Sequence, residues 1–456
     1  MVYLFPKDFS WGVATASYQI EGAVDEDGRK PSVWDTFSET PGKVVNGDTG
    51  KIACNHYHLY ESDVQLMAKL GIKHYRFSIS WSRIIPDGRG QVNEAGINFY
   101  QRLVDCLLKH GITPHATLFH WDSPQALEDL YGSWRDRQMA YDYADYVTAV
   151  VSRLGDRIIN WMTINEIPCF TYMGYGVAQE PPHAPGTLVK TKKEVYQTCH
   201  HAILAHGLGC QAIRAASSIP CQIALVDNCG VTVPISESPA NIEAAKKAFP
   251  TSWLNGAIIF PVLTGAYSDA MLAELGENAP DIQAGDLEII HQPLDAIGLN
   301  IYTGIYVRAA DNQRGYEFLP LPEHYPRLNM PWLHIIPESI YWGIRHLSET
   351  LAHPNLPVYI TENGCAVHDQ INENSEIIDS DRIMYLRQHL KSAHRAISEG
   401  YPLKGYFLWS LMDNFEWAWG FSRRFGIVYT DYNTQQRIPK ASFDWYAECI
   451  RQNSVV

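Results

Sequence analysis

Two glutamates carry the chemistry that this sequence offers. Glu166 ends the run Ile158-Ile159-Asn160-Trp161-Met162-Thr163-Ile164-Asn165-Glu166, and Glu362 ends Pro357-Val358-Tyr359-Ile360-Thr361-Glu362. Each run has the β-branched and aromatic content of a strand buried on both faces, and Pro168 and Gly364 signal the turns that follow. Strands of this kind can aim two carboxyls at one cleft from their C-terminal lips. Cleavage of a glycosidic bond needs such a pair, one group to protonate the leaving oxygen and one to meet the oxocarbenium-like carbon.

The flanking residues predict different roles for the two. Glu166 lies between Asn165 and the apolar pair Ile167-Pro168. Desolvation and a neighbouring carboxylate would both raise its pKa and keep it protonated as the acid. Glu362 needs hydrogen-bond donors or a cation to stay ionised, and Arg76, at the end of the second predicted strand, is the candidate cation. A single glutamate after a strand is most often a solvated or capping residue. The pair, each beside an asparagine, is what makes the catalytic reading competitive.

The elements that must position these residues alternate along the whole chain. Predicted strands cover 9–16, 73–79, 114–120, 158–164, 222–226, 296–300, 358–361 and 404–409. Predicted helices cover 54–70, 94–110, 137–154, 194–216, 241–265 with breaks near Pro250 and Pro261, 339–351, 380–399 and 443–452. Gly71, Gly111 and Gly155 follow the first three helices as expected C-caps. The stretch 312–337, rich in proline and aromatics, reads as a long loop. Eight β-then-α units without a compositional break predict one (β/α)₈ TIM barrel, a single catalytic domain over 1–456, although periodicity alone also allows a doubly wound open sheet. The barrel is favoured because His120-Trp121, Asn165-Glu166, Asn300, Glu362 and Trp409 fall at or just past the C-terminal ends of different strands.

Composition narrows the partners. A formal charge of -14 disfavours nucleic acid and anionic lipid, and no apolar run is long enough to span a bilayer. The expected ligand is a small neutral or cationic molecule. The N-terminus has neither the basic nor the apolar region of a secretory signal, so a cytoplasmic product is expected. Nine scattered cysteines without a C-x-x-C pair read as reduced thiols. No metal and no cofactor are expected: His200, His201 and His206 fall on one predicted helix without an i, i+4 pair and read as helix surface and core residues.

Longer motifs carry a resemblance to a known family. Thr163-Ile164-Asn165-Glu166 and Ile360-Thr361-Glu362-Asn363-Gly364 resemble the two catalytic signatures of the family 1 glycoside hydrolases, the retaining β-glucosidases and β-galactosidases. So do Phe9-Ser10-Trp11-Gly12 through Gly22-Ala23, His120-Trp121, Gly298-Leu299-Asn300-Ile301-Tyr302 and Trp409 through Trp417, in order over essentially the whole chain. The resemblance implies a double displacement with Glu166 as acid/base and Glu362 as nucleophile, their carboxyls about 5 to 5.5 Å apart. It also implies that Gln19, His120, Asn165, Glu416 and Trp417 hold sugar hydroxyls, that Tyr302 orients Glu362, and that Trp409 stacks under the sugar. Trp121, Asn300 and Phe425 fall in the substrate site, and Trp332 on the aglycone side. Amide, imidazole and carboxylate groups suit a polyol, and an indole covers its C–H face.

Three alternatives stand beside this reading. Relatives acting on 6-phosphorylated sugars carry a small hydroxyl residue in place of the Glu-Trp pair and a lysine and a tyrosine downstream. Here Glu416 would repel a phosphate and Phe425 lacks the hydroxyl, although Arg423 and Arg424 are good phosphate ligands. Thioglucosidase relatives lack the acid/base glutamate. A barrel that only binds carbohydrate has no need of two facing carboxylates. The expected substrates are therefore β-D-glucosides, with β-galactosides and β-fucosides, of cellobiose-like, aryl or alkyl type. One departure concerns Glu166: the family places proline directly after this glutamate, whereas here Ile167 precedes Pro168 and Cys169. Cys169 or Cys365 is expected to border the site.

Overall fold

A computed structural model describes residues 3–176, 182–351 and 354–456 of the chain. Eight parallel strands close into a barrel: β1 (Ser10–Ala14), β2 (His74–Ser78), β3 (Thr113–Phe119), β4 (Asn160–Asn165), β5 (Gln222–Asp227), β6 (Ala296–Asn300), β7 (Val358–Asn363) and β8 (Leu403–Trp409). Each strand pairs with its sequence neighbours, and β8 returns to β1 through Gly405 opposite Ser10 and Trp409 opposite Ala14. The open-sheet alternative is thereby excluded.

Parallel strands need long crossovers, and helices supply them here. Those after β1 to β4 are His56–Leu70, Glu94–Lys109, Gln138–Leu154 and Lys192–Ala216. After β5 come Pro239–Ala248 and Asn255–Thr264, and after β6 to β8 Glu338–Thr350, Ser380–Ser398 and Ala441–Gln452. Gly71 ends the first of these at φ 90°, a left-handed cap that any side chain would resist. The helices turn apolar faces to the strands, and one large buried cluster runs from Phe5 through Trp81, Tyr146 and Ile258 to Tyr446. Inside the barrel a smaller cluster of Met162, Ala224, Val226 and Ala296 fills the space between β4, β5 and β6.

Several expectations need correction. The predicted helix 241–265 breaks at Pro250, where a 3₁₀ turn (Phe249–Leu254) intervenes, but continues through Pro261. The stretch 312–337 is not wholly loop: Tyr316–Phe318 pairs antiparallel with Ile305–Ala309, which pairs in turn with Thr232–Pro234. Strands this short, paired over long range, leave no readable period. His200, His201 and His206 are all buried, none lying on the helix surface. His200 bridges Tyr267 and Asp286, and His206 bonds the Thr163 hydroxyl at 2.7 Å, tying its helix to the strand that delivers Glu166. No helix among the described residues is long and apolar enough to cross a membrane.

Candidate active site

Both glutamates reach the same end of the barrel. Glu362 lies within β7, opposite Asn300 of β6, and Glu166 is the first residue past β4. Arg76 from β2 is fully buried in the barrel and joins them. Its Nη1 donates to Glu362 Oε1 at 2.6 Å and its Nη2 to Asn165 Oδ1 at 2.6 Å, while Nε donates to Thr117 Oγ1 at 3.1 Å. Tyr302 donates its phenol to Glu362 Oε2 at 2.8 Å, so each carboxylate oxygen has a donor. Asn300 donates to Asn165 Oδ1 at 3.0 Å and to Glu166 Oε1 at 2.6 Å, and its own carbonyl accepts from Thr361 Oγ1 at 2.7 Å.

The surroundings of the two carboxyls set their protonation. Burial pushes Glu166 up to about 8, helped by the negative charge of Glu362 and opposed by the hydrogen bonds of Asn300 and Cys169. Burial also raises Glu362, against the charge and hydrogen bond of Arg76 and the hydrogen bond of Tyr302. Among the described residues no cation lies beside Glu166. When the pair holds one proton, that proton sits on Glu166.

The local backbone is unusual where these side chains emerge. Trp121, Glu166 and Trp417 are non-glycine residues at φ 74°, 47° and 50°, a left-handed conformation that persists only where surrounding bonds impose it. Glu166 N donates to Val226 O at 3.0 Å, and Trp121 Nε1 to Asn165 O at 3.0 Å. Beyond Ile167-Pro168 the chain enters a π-helical turn, Cys169–Met173, a wide turn often found at functional sites. The departure after Glu166 thus continues as helix, and it swings Cys169 back until its thiol donates to Glu166 Oε2 at 3.0 Å. Cys365 does not share this position: it is fully buried, with Arg382, Asp381 and Asp379 as its charged neighbours. Gly364 before it has no room for a side chain, since a Cβ there would lie 1.7 Å from Trp409 O.

The remaining predicted residues line the same face. Asn165 Nδ2 bonds His120 Nε2 at 3.1 Å, so the imidazole, kept neutral by burial and by the Arg76 charge, carries its proton on Nδ1. That Nδ1 has no acceptor among the described residues. Gln19 Nε2 donates to Phe415 O at 2.8 Å and Asn414 Oδ1 at 3.2 Å, which leaves its Oε1 buried without a donor among the described residues. A free donor and a free acceptor therefore flank the Phe415-Glu416-Trp417 segment, as the vicinal hydroxyls of a sugar require. Trp409 and Trp417 stack against His120 at 5.8 and 6.0 Å. Glu416 makes no ion pair among the described residues, and burial and the two other glutamates push it up to about 8. Phe425 and Trp332 meet the Tyr302 ring edge-on at 6.2 and 5.6 Å, Trp332 remaining 40% exposed.

Two residues escaped the sequence reading. Asn228 donates to Cys169 Sγ at 3.3 Å, behind the thiol that contacts Glu166. Asp227 is fully buried with no side-chain partner for its carboxyl among the described residues, burial pushes it up to about 7 against the backbone N–H of Asn228, and its charge bears on Glu166 and Cys169. The signal was present, since Asp227-Asn228 is a polar pair at the lip of β5 just as Asn165-Glu166 is at the lip of β4.

Comparison with known proteins places this arrangement. The family model "Glycosyl hydrolase family 1" matches residues 1–455. The chain belongs to glycosyl hydrolase family 1. Within that family it is 42% identical over 454 residues to beta-glucosidase A of Thermotoga maritima, covering 99% of this chain and 98% of the relative. It is 40% identical over 476 residues to a bifunctional beta-D-glucosidase/beta-D-fucosidase of Bifidobacterium breve, covering 100% of both. The solved Thermotoga maritima beta-glucosidase in complex with glucoimidazole superposes with a TM-score of 0.89 at 42% identity, over 99% of this chain and 100% of that one. The (β/α)₈ architecture is therefore shared with a family 1 glycosidase.

Proposed function

We propose that this chain, as one catalytic domain over 1–456, is a retaining β-glycosidase that removes terminal non-reducing β-D-glucosyl residues, and also galactosyl or fucosyl residues, by double displacement. The observation that carries this reading is the unequal pair of buried glutamates, one held by Arg76 and Tyr302 and the other without a cation. In the first step Glu166 gives its proton to the glycosidic oxygen as the bond from that oxygen to C1 breaks. A Glu362 oxygen bonds C1 from the other face, and the aglycone leaves as an alcohol. The new ester is neutral, so one cause of the raised Glu166 pKa is gone and Glu166 becomes a base. In the second step Glu166 takes a proton from water, the water oxygen bonds C1, and the ester breaks to return the Glu362 carboxylate and a β-configured sugar.

The other site residues act on the sugar. His120 Nδ1 and Gln19 Oε1 serve as donor and acceptor to hydroxyls, Asn165 meets the 2-hydroxyl, Glu416 accepts from a diol, and Trp409 lies under the ring, with Trp121 and Trp417 beside it. Phe425 backs Tyr302, and Trp332 offers an indole to the aglycone. A 6-phosphorylated substrate is disfavoured because Arg424 is committed to Asp413 at 2.7 Å and Phe425 offers no hydroxyl. We place the enzyme in the cytoplasm, acting on cellobiose-like, aryl or alkyl β-glucosides without a cofactor. A panel of p-nitrophenyl glucoside, galactoside, fucoside, mannoside and 6-phosphoglucoside tests the substrate class, and turnover of the phosphorylated compound alone overturns it. Proton NMR of the first product tests the stereochemistry, where an initial α-anomer from a β-glycoside overturns retention.

A further inference from the structure

An aromatic cluster lies on the Glu166 side of the barrel mouth, outside the residues assigned so far. Tyr172 belongs to the π-helical turn that holds Cys169 against Glu166. Its ring meets Trp253 edge-on at 6.1 Å and Tyr196 at 6.3 Å. Trp253 stays 37% exposed although it is one of the most apolar surfaces a chain can bury. Its backbone is in the left-handed region at φ 45°, and Leu254 follows at 65°, so two successive non-glycine residues hold a disfavoured conformation.

The framework around Trp253 fixes it there. Gly230 allows the close approach, for a Cβ at that position would lie 2.5 Å from Trp253 Cβ. Asn255 locks the two segments together, accepting from Gly230 N at 2.9 Å and donating to Gly230 O at 3.1 Å and Phe249 O at 2.8 Å. Gly230 stands two residues past Asn228, which bonds Cys169. The exposed indole is thus pre-organised and continuous with the acid/base side of the site, while Trp332, packed on Tyr302, rises from the nucleophile side.

We propose that Trp253 and Tyr172 form a distal platform that binds the reducing-end units of a β-linked gluco-oligosaccharide longer than a disaccharide. This rests on the β-glycosidase reading and extends it to chain length. The chemistry selects sugar over other occupants. An indole face suits the C–H face of a β-glucosyl ring, and the cluster consists of two phenols and an indole, with no charged side chain among them.

The test compares initial rates of wild type, Trp253→Ala and Trp253→Phe on p-nitrophenyl β-glucoside, cellobiose and cellotetraose. In the alanine variant kcat/KM for cellotetraose falls about three- to tenfold, the phenylalanine variant recovers most of it, and the two shorter substrates are unchanged. Equal losses on all three substrates, or none on cellotetraose, overturn the proposal. A changed sedimentation coefficient with unchanged kinetics also overturns it, by assigning the indole to a contact between copies of the chain. Titration of cellotetraose onto the Glu362→Gln protein, with and without Trp253→Ala, reads the platform without turnover. Failure of the platform is thereby separated from failure of the β-glycosidase reading, which shows as no hydrolysis of any substrate by wild type.

Discussion

Glu362 is held by a guanidinium and a phenol, Glu166 by an amide and a thiol, although both are almost wholly buried. Burial alone would protonate both carboxyls. An adjacent unit charge is worth about 4 kcal/mol at an effective dielectric of about 20, which corresponds to about three pKa units. The donors at Glu166 are neutral, and one of them, the Cys169 thiol, is weak. The contrast teaches that two identical side chains take different jobs because one guanidinium is aimed at only one of them.

The largest way to break the contrast removes the charged partner. Glu362→Gln leaves no nucleophile, and hydrolysis of p-nitrophenyl β-glucoside should fall by more than about 10³-fold while sugar affinity measured by calorimetry persists. Glu166→Gln removes the proton instead. Hydrolysis of alkyl glucosides, whose leaving groups need protonation, should fall by about 10² to 10⁴-fold. The basic limb of the kcat/KM profile, expected near the raised Glu166 pKa of about 8, should vanish with it.

The same substitution makes a statement about stability. A carboxyl whose folded pKa lies above its unfolded value stabilises fully only below the unfolded pKa, and that contribution is lost as pH rises through the folded pKa. Glu166, at about 8 when folded, should therefore cost stability progressively from about pH 4 to pH 8. Glutamine has no proton to lose. The melting temperature of Glu166→Gln should exceed that of wild type by a margin that grows from pH 5 to pH 8, as scanning calorimetry can follow.

Arg76→Met sharpens the comparison by giving Glu362 the cation-free surroundings of Glu166. The acidic limb should move upward, and kcat/KM at pH 6 should drop relative to its value at the optimum. The smallest effect is expected from Cys169→Ala. A donor to a carboxylate lowers its pKa, so removing the thiol should move the basic limb upward by about half a unit with little change at the optimum. A downward shift would contradict the hydrogen-bond direction assigned to Cys169.

Much of this arrangement was legible before any coordinates. The strand ends at Asn165-Glu166 and Glu362-Asn363 announce themselves because an apolar run stops on a carboxyl, and Arg76 stands out as a cation in an otherwise strand-like run. Eight such runs separated by helices also allowed an open sheet, and the polar and aromatic residues at their C-terminal ends favoured the barrel. Other features left no pattern to read. The π-helical turn changes the spacing after Pro168, so no helical period could say that Cys169 returns to Glu166. The side-chain amide of Asn228 reaches the site through that thiol. The exposure of Trp253 depends on a left-handed backbone held by Asn255 and on the emptiness of Gly230, which are properties of packing rather than of local sequence.

One amide connects these pieces. Asn165 accepts from Arg76 and from Asn300 on the same carbonyl and gives its nitrogen to His120. From the nucleophile corner, Arg76 reaches Asn300 and Glu166 both by way of it and by way of Thr361. In evolutionary terms these positions then behave as one trait rather than four. A change at Arg76, His120 or Asn300 resets the value of a change at either of the others, so a chain that is to acquire a new glycone must find its substitutions together.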